Sequence, residues 1–273
     1  MNVIVKINNL NDLTNIKNAD GFILANKRFS YGYDYSFTQK DIINIKKNTN
    51  KKIYVLINRI FYDEDIDTLK KYLIFLKRIK VDGIFFNDFG VYMLAKGLKM
   101  EHLLIFYHET FLRNSKDVLT YQELGIKNIC LSKDMNIKSL NNLNDNKENY
   151  YILAFGYIPI YYSKRKVISN YFKKEKLDNN PNELGYILKE NTRDNKYRVL
   201  EQSSQSIIYA DKILSYLDYI DVLNNKIDNF IIDSLFIDNE TINDVIDIIK
   251  NKADKQLDVD TSSYFLEKDI DLE

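Results

Sequence analysis

Two carboxylates, Asp88 and Glu109, each follow a short apolar run, where they could work as an acid–base pair or hold a cation. His108, one of only 2 histidines, directly precedes Glu109. A histidine beside a glutamate can act as a base with its orienter. Adjacent residues on extended backbone point to opposite faces, however, so contact between these two is not expected. Asp88 has a second reading, as the cap of a helix opening near Gly90. A basic segment, Ser163–Lys164–Arg165–Lys166, follows a tight passage from Gly156 to Pro159 and is flanked by the hydroxyls of Tyr161, Tyr162 and Ser169. Cations beside hydroxyl donors suit phosphate or carboxylate, and arginine can take two oxygens at once. If a helix starts there, its cations oppose the helix dipole, and an anionic ligand would relieve them. Ser163, Lys164 and Arg165 are therefore the main candidates for ligand or anion binding, with Asn58 and Arg193 beside them.

Other chemistries find no support in the residues. Cys130 is the single cysteine and lies in the apolar run Asn128–Leu131, which reads as a small buried hydrophobe. It cannot form an internal disulfide or supply a zinc or iron–sulfur site by itself. There is no HExxH helix and no glycine-rich phosphate loop. No metal site is expected.

Positioning these groups falls to a series of short, β-branched apolar runs: Val3–Ile7, Gly21–Ala25, Ile53–Ile57, Gly83–Phe86, Leu103–Tyr107, Asn128–Leu131, Tyr151–Phe155 and Phe230–Phe236. Several are continuous rather than alternating, as strands covered on both faces require. Helical patterns fill most intervals. Ile66, Leu69, Leu73, Leu76 and Ile79 share a helical face behind Asp63–Glu64–Asp65, and Thr241 can cap a last helix carrying Ile242, Val245, Ile246 and Ile249. About eight strands alternating with helices predict a (β/α) TIM-like barrel, with a doubly wound open sheet as the rival. In a barrel, functional groups sit where strands end. That rule selects Asn26, Lys27, Arg28, Asn58, Arg59, Asn87, Asp88, His108, Glu109, Ser132, Lys133 and Asp134, and the chain from Gly156 onward.

The alternation breaks after Phe172. Strand-like pieces at Gly185–Leu188, Tyr197–Leu200 and Ile207–Tyr209, behind a turn cluster at Asn179–Asn182, predict a small β-rich insertion at about 175–210, before the last βα unit. The expected organisation is one barrel domain over 1–253, including that insertion, and an acidic strap or tail over 254–273, anchored by Tyr264 and Phe265. Lys+Arg and Asp+Glu both total 39, which argues against binding nucleic acid by bulk charge and leaves room for a local basic patch. The N-terminal MNVIVKINN lacks the apolar length and cleavage site of a signal peptide, and no run approaches the ~20 apolar residues of a membrane helix. A cytoplasmic location, away from membranes, is expected.

Four segments resemble the collagenase-like peptidases of peptidase family U32. VDGIFFNDFGV (Val81–Val91) is similar to one block of that family. Phe106–Met135 is similar to the next, through Thr110, Asn114, Gly125, Leu131 and Asp134. FGYIPIYYSKRKVISNYF is similar to a third, at Gly156, Tyr157, Ser163, Lys164, Arg165, Asn170, Tyr171 and Phe172. LKENTRDNKYRVLEQ is similar to a fourth. The likeness runs from about Asp20 to Phe265. Phe155 stands where the family has histidine, Asp134 where it has glutamate, Arg198 where it has proline and Gln202 where it has an acid. Ser204–Gln205 stands where it has Gly-Thr, and the cysteines of its cluster-bearing branches are missing.

The resemblance implies a barrel and a choice of functions. The family carries a peptidase label. Other branches hydroxylate tRNA or rRNA bases or quinone precursors, often as two members acting together, several with an iron–sulfur cluster on four cysteines. With those cysteines missing, no such cluster is expected here. The expected role is a supporting subunit in wobble-uridine hydroxylation of tRNA, beside a second, longer family member, with tRNA contacted through the local basic loop. The alternatives are a collagenase-like peptidase and a non-catalytic interaction protein. Whether the chain is itself an enzyme is left open.

Overall fold

The computed structural model describes residues 1–108, 112–177, 186–192, 194–202 and 205–267. Seven strands come first: β1 (Asn2–Lys6), β2 (Gly21–Ala25), β3 (Lys52–Ile57), β4 (Gly83–Phe86), β5 (Leu104–Tyr107), β6 (Asn128–Leu131) and β7 (Tyr150–Ser163). Then come β8 (Tyr186–Lys189), β9 (Lys196–Gln202), β10 (Gln205–Ser215), β11 (Asn229–Asp233) and the short β12 (Thr261–Ser262). The helices are α1 (Asp12–Asn15), α2 (Gln39–Asn48), α3 (Ile66–Ile79), α4 (Phe89–Gly97), α5 (Ser115–Glu123), α6 (Ile137–Asn141), α7 (Val167–Glu175), α8 (Ile220–Leu223) and α9 (Asn239–Asn251).

Strands β1 to β7 pair in parallel in chain order, and β11 pairs in parallel with both β7 and β1. The ring therefore closes as an eight-stranded (β/α) barrel, which excludes the open doubly wound sheet. Closure explains the continuous apolar runs, because both faces of each strand are covered. Val3, Val5, Leu24, Val55, Ile84, Phe86 and Ile129 face the helices, together with Leu69, Leu73 and Leu76 of α3 and Ile242, Val245, Ile246 and Ile249 of α9. Ile4, Ile23, Tyr54, Phe85, Ile105, Cys130, Tyr151 and Ile231 form a separate cluster and fill the inside of the barrel. Large and small residues alternate there. A Cβ on Gly83 would lie 2.7 Å from the Tyr54 ring and one on Gly21 2.9 Å from it, so the two glycines make the space that the ring occupies.

Strand β7 leaves the barrel halfway along. Tyr151–Phe155 pairs with β11, and the strand then runs on to Ser163 as an antiparallel partner of β10. The pivot is Gly156, at φ +149°, where a Cβ would lie 2.8 Å from Cβ of Asp233. Glycine tolerates both that backbone and that approach. The sequence suggests a loop beginning at Gly156; the structure continues the strand instead, because β10 supplies a pairing edge. Strands β8, β9 and β10 form the antiparallel extension, inserted before the last βα unit. The turn cluster expected at Asn179–Asn182 lies outside the described residues.

Two terminal details differ from expectation. The cap of α9 is Asp238, whose carboxylate accepts the Thr241 N–H at 2.8 Å, and Thr241 sits one turn inside. An Asp carboxylate suits a helix N-terminus better than a hydroxyl because the dipole there favours negative charge. The C-terminal strap pairs β12 beside β10, and its anchor is the wholly buried Leu266, which accepts the Ile137 N–H. Phe265 is 37% exposed, while the Tyr264 hydroxyl donates to the Lys212 carbonyl. Tyr264 takes φ 50°, and that turn carries Leu266 rather than Phe265 into the core. Among the described residues no helix is long and apolar enough to cross a membrane.

Replacing Gly156 by alanine should destabilise the fold by about 1–3 kcal/mol, through overpacking against Asp233 and backbone strain. Gly97 ends α4 with nothing within 4 Å of the place a methyl group would take, so Gly97→Ala should change stability by no more than about 1 kcal/mol in either direction. Urea unfolding of the two variants measures the contrast.

Candidate functional site at the barrel mouth

The strand ends converge on a cavity of about 600 Å³, counted out to its open mouth. Its floor holds an ion pair that joins the first and last strands of the ring. Lys6, the last residue of β1, places Nζ 2.6 Å from Oδ2 of Asp233, the last residue of β11. The same ammonium donates to the Gly32 carbonyl. Asp233 Oδ1 accepts the Leu235 N–H at 3.0 Å. The two side chains are only 11% and 15% exposed, so each ion is balanced almost entirely by the other. The walls are aromatic: Tyr31, Tyr107, Tyr157 and Tyr209, with Leu56, Leu153 and Pro159 between them. Tyr157 and Tyr209 come from the antiparallel extension, which overhangs the mouth. Behind them, the Arg198 guanidinium lies 5.1 Å from the Tyr157 ring centre and 5.2 Å from that of Phe236. Arg198 thus supports a wall of the cavity.

Asn58 also lines the cavity, yet its amide is engaged in building it. It is buried, and its Oδ1 accepts the Tyr31 N–H at 2.9 Å, which fixes the loop carrying Tyr31. Asn87 donates to the Asn58 carbonyl at 2.8 Å. Asp88 caps α4: Oδ1 accepts from Gly90 N at 2.7 Å and Oδ2 from Phe61 N at 3.2 Å. Its carboxylate therefore joins two loops through backbone amides, as the capping alternative anticipated. His108 lines an adjoining cavity of about 360 Å³ with Ser132 and Lys133, and this cavity shares Tyr107, Leu153 and Pro159 with the first. Partial burial lowers the His108 pKa and favours the neutral imidazole. Glu109 and Arg193 lie outside the described residues. Among the described residues no group of three His, Cys, Asp or Glu side chains could hold a metal ion. Cys130 is buried inside the barrel, where desolvation pushes its thiol pKa far up.

The basic segment stands on the rim. Ser163 Oγ accepts the Arg165 N–H at 3.1 Å, which shapes the turn into α7. Lys164 Nζ donates to the Tyr62 hydroxyl at 2.6 Å and lies 4.1 Å from that ring's centre, tying the turn to the loop after β3. The Tyr162 and Tyr31 rings lie 5.1 Å apart in the same rim. Burial raises the Tyr162 pKa, while Lys164 and Arg59 pull it partly back. The anion that the α7 N-terminus attracts comes from the chain itself. The Glu201 carboxylate accepts from Ile168 N at 2.9 Å, from Ser169 N at 3.2 Å and from the Ser169 hydroxyl. The backbone donors of this turn are therefore engaged, and any external ligand would meet the side chains of Lys164 and Arg165.

The structure brings Asn58 together with two residues that the strand-end list omits, Lys6 and Asp233, sets His108 in the adjoining cavity and ties Lys164 to Tyr62. The same rule, applied to the first and last strands as to the others, would have found them. A lysine closing the run NVIVK and an aspartate closing NFIID are both unusual for buried strands.

The model of peptidase family U32 matches residues 15–271. The tRNA hydroxylation protein P2 of Bacillus subtilis is 26% identical over 226 residues, covering 80% of this chain and 73% of that protein. An uncharacterized protease of Methanocaldococcus jannaschii is 25% identical over 115 residues, 41% of this chain and 27% of that protein. Among solved structures, phosphoribosyl anthranilate isomerase aligns with a TM-score of 0.49 and 12% identity, over 92% of this chain and 99% of that one.

Replacing Lys6 alone by methionine leaves Asp233 buried without its counterion and should cost about 3–5 kcal/mol. Lys6→Met combined with Asp233→Asn should recover most of that loss, and denaturant unfolding compares the two. At His108 the folded state holds the neutral form below the pH at which the unfolded chain takes up a proton. Stability should therefore fall as pH drops below about 6.5, and His108→Gln should flatten that part of a Tm-against-pH profile.

Proposed function

This chain belongs to peptidase family U32, and from that membership and the chemistry of its barrel mouth we propose that it acts in tRNA hydroxylation as a supporting subunit beside a second, longer member of the family. The observation that carries the proposal is the likeness to the Bacillus subtilis protein, which runs through 80% of this chain. The geometry suits the role. Arg28, Arg59, Lys164 and Arg165 put cations on the rim of a chain with no net charge, a local patch of the kind that holds a phosphate backbone. Tyrosines line the cavity, and an unpaired base is commonly held by stacking on aromatic faces. A cluster on four cysteines has no ligand set in a chain with 1 cysteine, so we place the oxidising step on the partner and the holding of the base on this chain.

Proteolysis is the second reading, favoured by the family label and by the name of the archaeal relative. Against it, the Asp88 carboxylate is bound by two backbone amides, and the Cys130 thiol is buried. Neither is placed as a base or a nucleophile.

Deleting the gene should remove a hydroxylated wobble uridine from total tRNA, as read by mass spectrometry of digested nucleosides, and a pulldown of the tagged chain should recover a longer family member. An unchanged nucleoside profile would refute the tRNA role. The purified chain should leave gelatin intact; reproducible cleavage that coelutes with the folded chain would instead establish proteolysis.

A further inference from the structure

We propose that the outer wall of the barrel, where α3 and α4 lie side by side, is a second binding surface, away from the mouth, and that it holds a phosphate backbone. The surface stands on its own charges; that the backbone belongs to a tRNA rests on the reading above.

Sequence and fold together gather the charge. From Thr68 to Val81 the chain carries Lys70, Lys71, Lys77, Arg78 and Lys80 and no acid. From Phe89 to Met100 it carries Lys96 and Lys99, again with no acid. All seven cations are exposed. The Lys77 ammonium donates to the Leu98 carbonyl at 2.6 Å, which brings the two sets together at the ends of the helices. Cations in a last helical turn answer the helix dipole, and that accounts for Lys77, Arg78 and Lys96. It does not account for Lys70 and Lys71, in the first half of α3. Elsewhere cations meet acids: around α9, Lys250 pairs with Asp20, Lys252 with Asp221, and Lys255 with Asp244 and Asp247. Among the described residues, none of the seven wall cations is in an ion pair. The acids of the neighbourhood stand apart. Asp63, Glu64, Asp65 and Asp67 crowd the start of α3, Asp82 is bound by Lys46, and Glu101 lies beyond the end of α4.

Six of the seven are lysines, which protein interfaces avoid and phosphate contacts use. A lipid layer would need an apolar face to enter it. Those of α3 and α4 are turned into the barrel with Leu69, Leu73, Leu76, Val91 and Ala95, and only Ile74 and Met93 stand exposed between the cations. A phosphate backbone asks only for unpaired cations along a line. Lys70 to Lys80 covers about 15 Å at the rise of a helix, enough for several consecutive phosphates. The wall also meets the rim, because Arg28 donates to Thr68 Oγ1 at 3.1 Å on the first turn of α3. One polyanion can therefore touch rim and wall together.

The test is fluorescence anisotropy of a labelled tRNA transcript with the full chain, from about 50 to 200 mM salt. The variant Lys70→Gln, Lys71→Gln, Arg78→Gln removes three exposed charges that hold no ion pair. It should bind at least tenfold more weakly at about 100 mM salt, and the slope of log K against log salt should fall by about two to three. Its melting temperature should match that of the wild type. The variant Lys116→Gln, Lys127→Gln, Lys138→Gln loses the same charge from exposed positions outside the wall, and should bind nearly as well as the wild type. No tRNA binding by the wild type, undiminished binding in the wall variant, or an equal loss in the second variant would each overturn the proposal. So would equally tight binding of poly-glutamate or of phosphatidylglycerol vesicles through the same three residues. Failure of the wall and failure of the tRNA role separate cleanly. If the gene deletion removes the modified uridine but the wall variant restores it fully and binds tRNA like the wild type, the wall is wrong and the role stands. If the wall variant alone loses tRNA binding but the nucleoside profile never changes on deletion, the role is wrong and the wall stands.

Discussion

The barrel closes on one strand, and that strand arrives late. β11 is separated from β1 by 227 residues at the contact between Lys6 and Asp233, yet it must fit between β1 and β7 to complete the ring. Three features meet at Asp233. Its backbone pairs with Lys6 of β1, its carboxylate holds the Lys6 ammonium, and Gly156 of β7 packs directly against its Cβ. A side chain at position 156 would push β11 away from β7. An unpaired lysine at position 6 would leave a charge inside the barrel. The closing seam and the floor of the candidate site are therefore the same set of contacts, so the site cannot be built without closing the fold.

The second half of β7 gives the mouth its character. A barrel strand ordinarily gives way to a loop at its C-terminal end. Here the strand continues, because β10 offers an antiparallel edge and a bulge at Ala154 of β7, opposite Ile231 and Ile232 of β11, shifts its register. The overhang brings Tyr157 and Tyr209 over the cavity, while Arg198 and Phe236 stiffen the wall from behind. Without the extension the floor would lie open to water. The Lys6–Asp233 pair would then be a surface ion pair, worth at most about 1 kcal/mol.

The barrel was legible because its signal is local and repeated. Continuous apolar runs such as Ile53–Ile57, separated by helical faces such as that of α3, reflect burial on two sides, and each unit repeats the message. The basic turn and the capping role of Asp88 were legible for the same reason, since both depend on a few neighbouring residues. Closure was not legible, because it depends on pairing between residues far apart in sequence. Lys6 and Asp233 are each legible by the strand-end rule, but their pairing is not. Each looks like the polar end of an apolar run, and only the ring brings them together. Glu201 makes the same point at α7: nothing near Ser163–Lys166 in sequence announces that a carboxylate more than thirty residues later takes the helix N-terminus.

The internal anion has a consequence for the rim. A helix N-terminus whose amides are open draws phosphate by itself. At α7 the amides of Ile168 and Ser169 are bound to Glu201, so the backbone there draws nothing further. Attraction for a polyanion falls instead to the side chains of Arg28, Arg59, Lys164 and Arg165, which are long and screened by salt. Such a rim would hold an anion loosely, whereas the Lys6–Asp233 pair leaves the floor without net charge. The chain's equal numbers of acidic and basic residues fit that division, because the cations need only be gathered at one mouth.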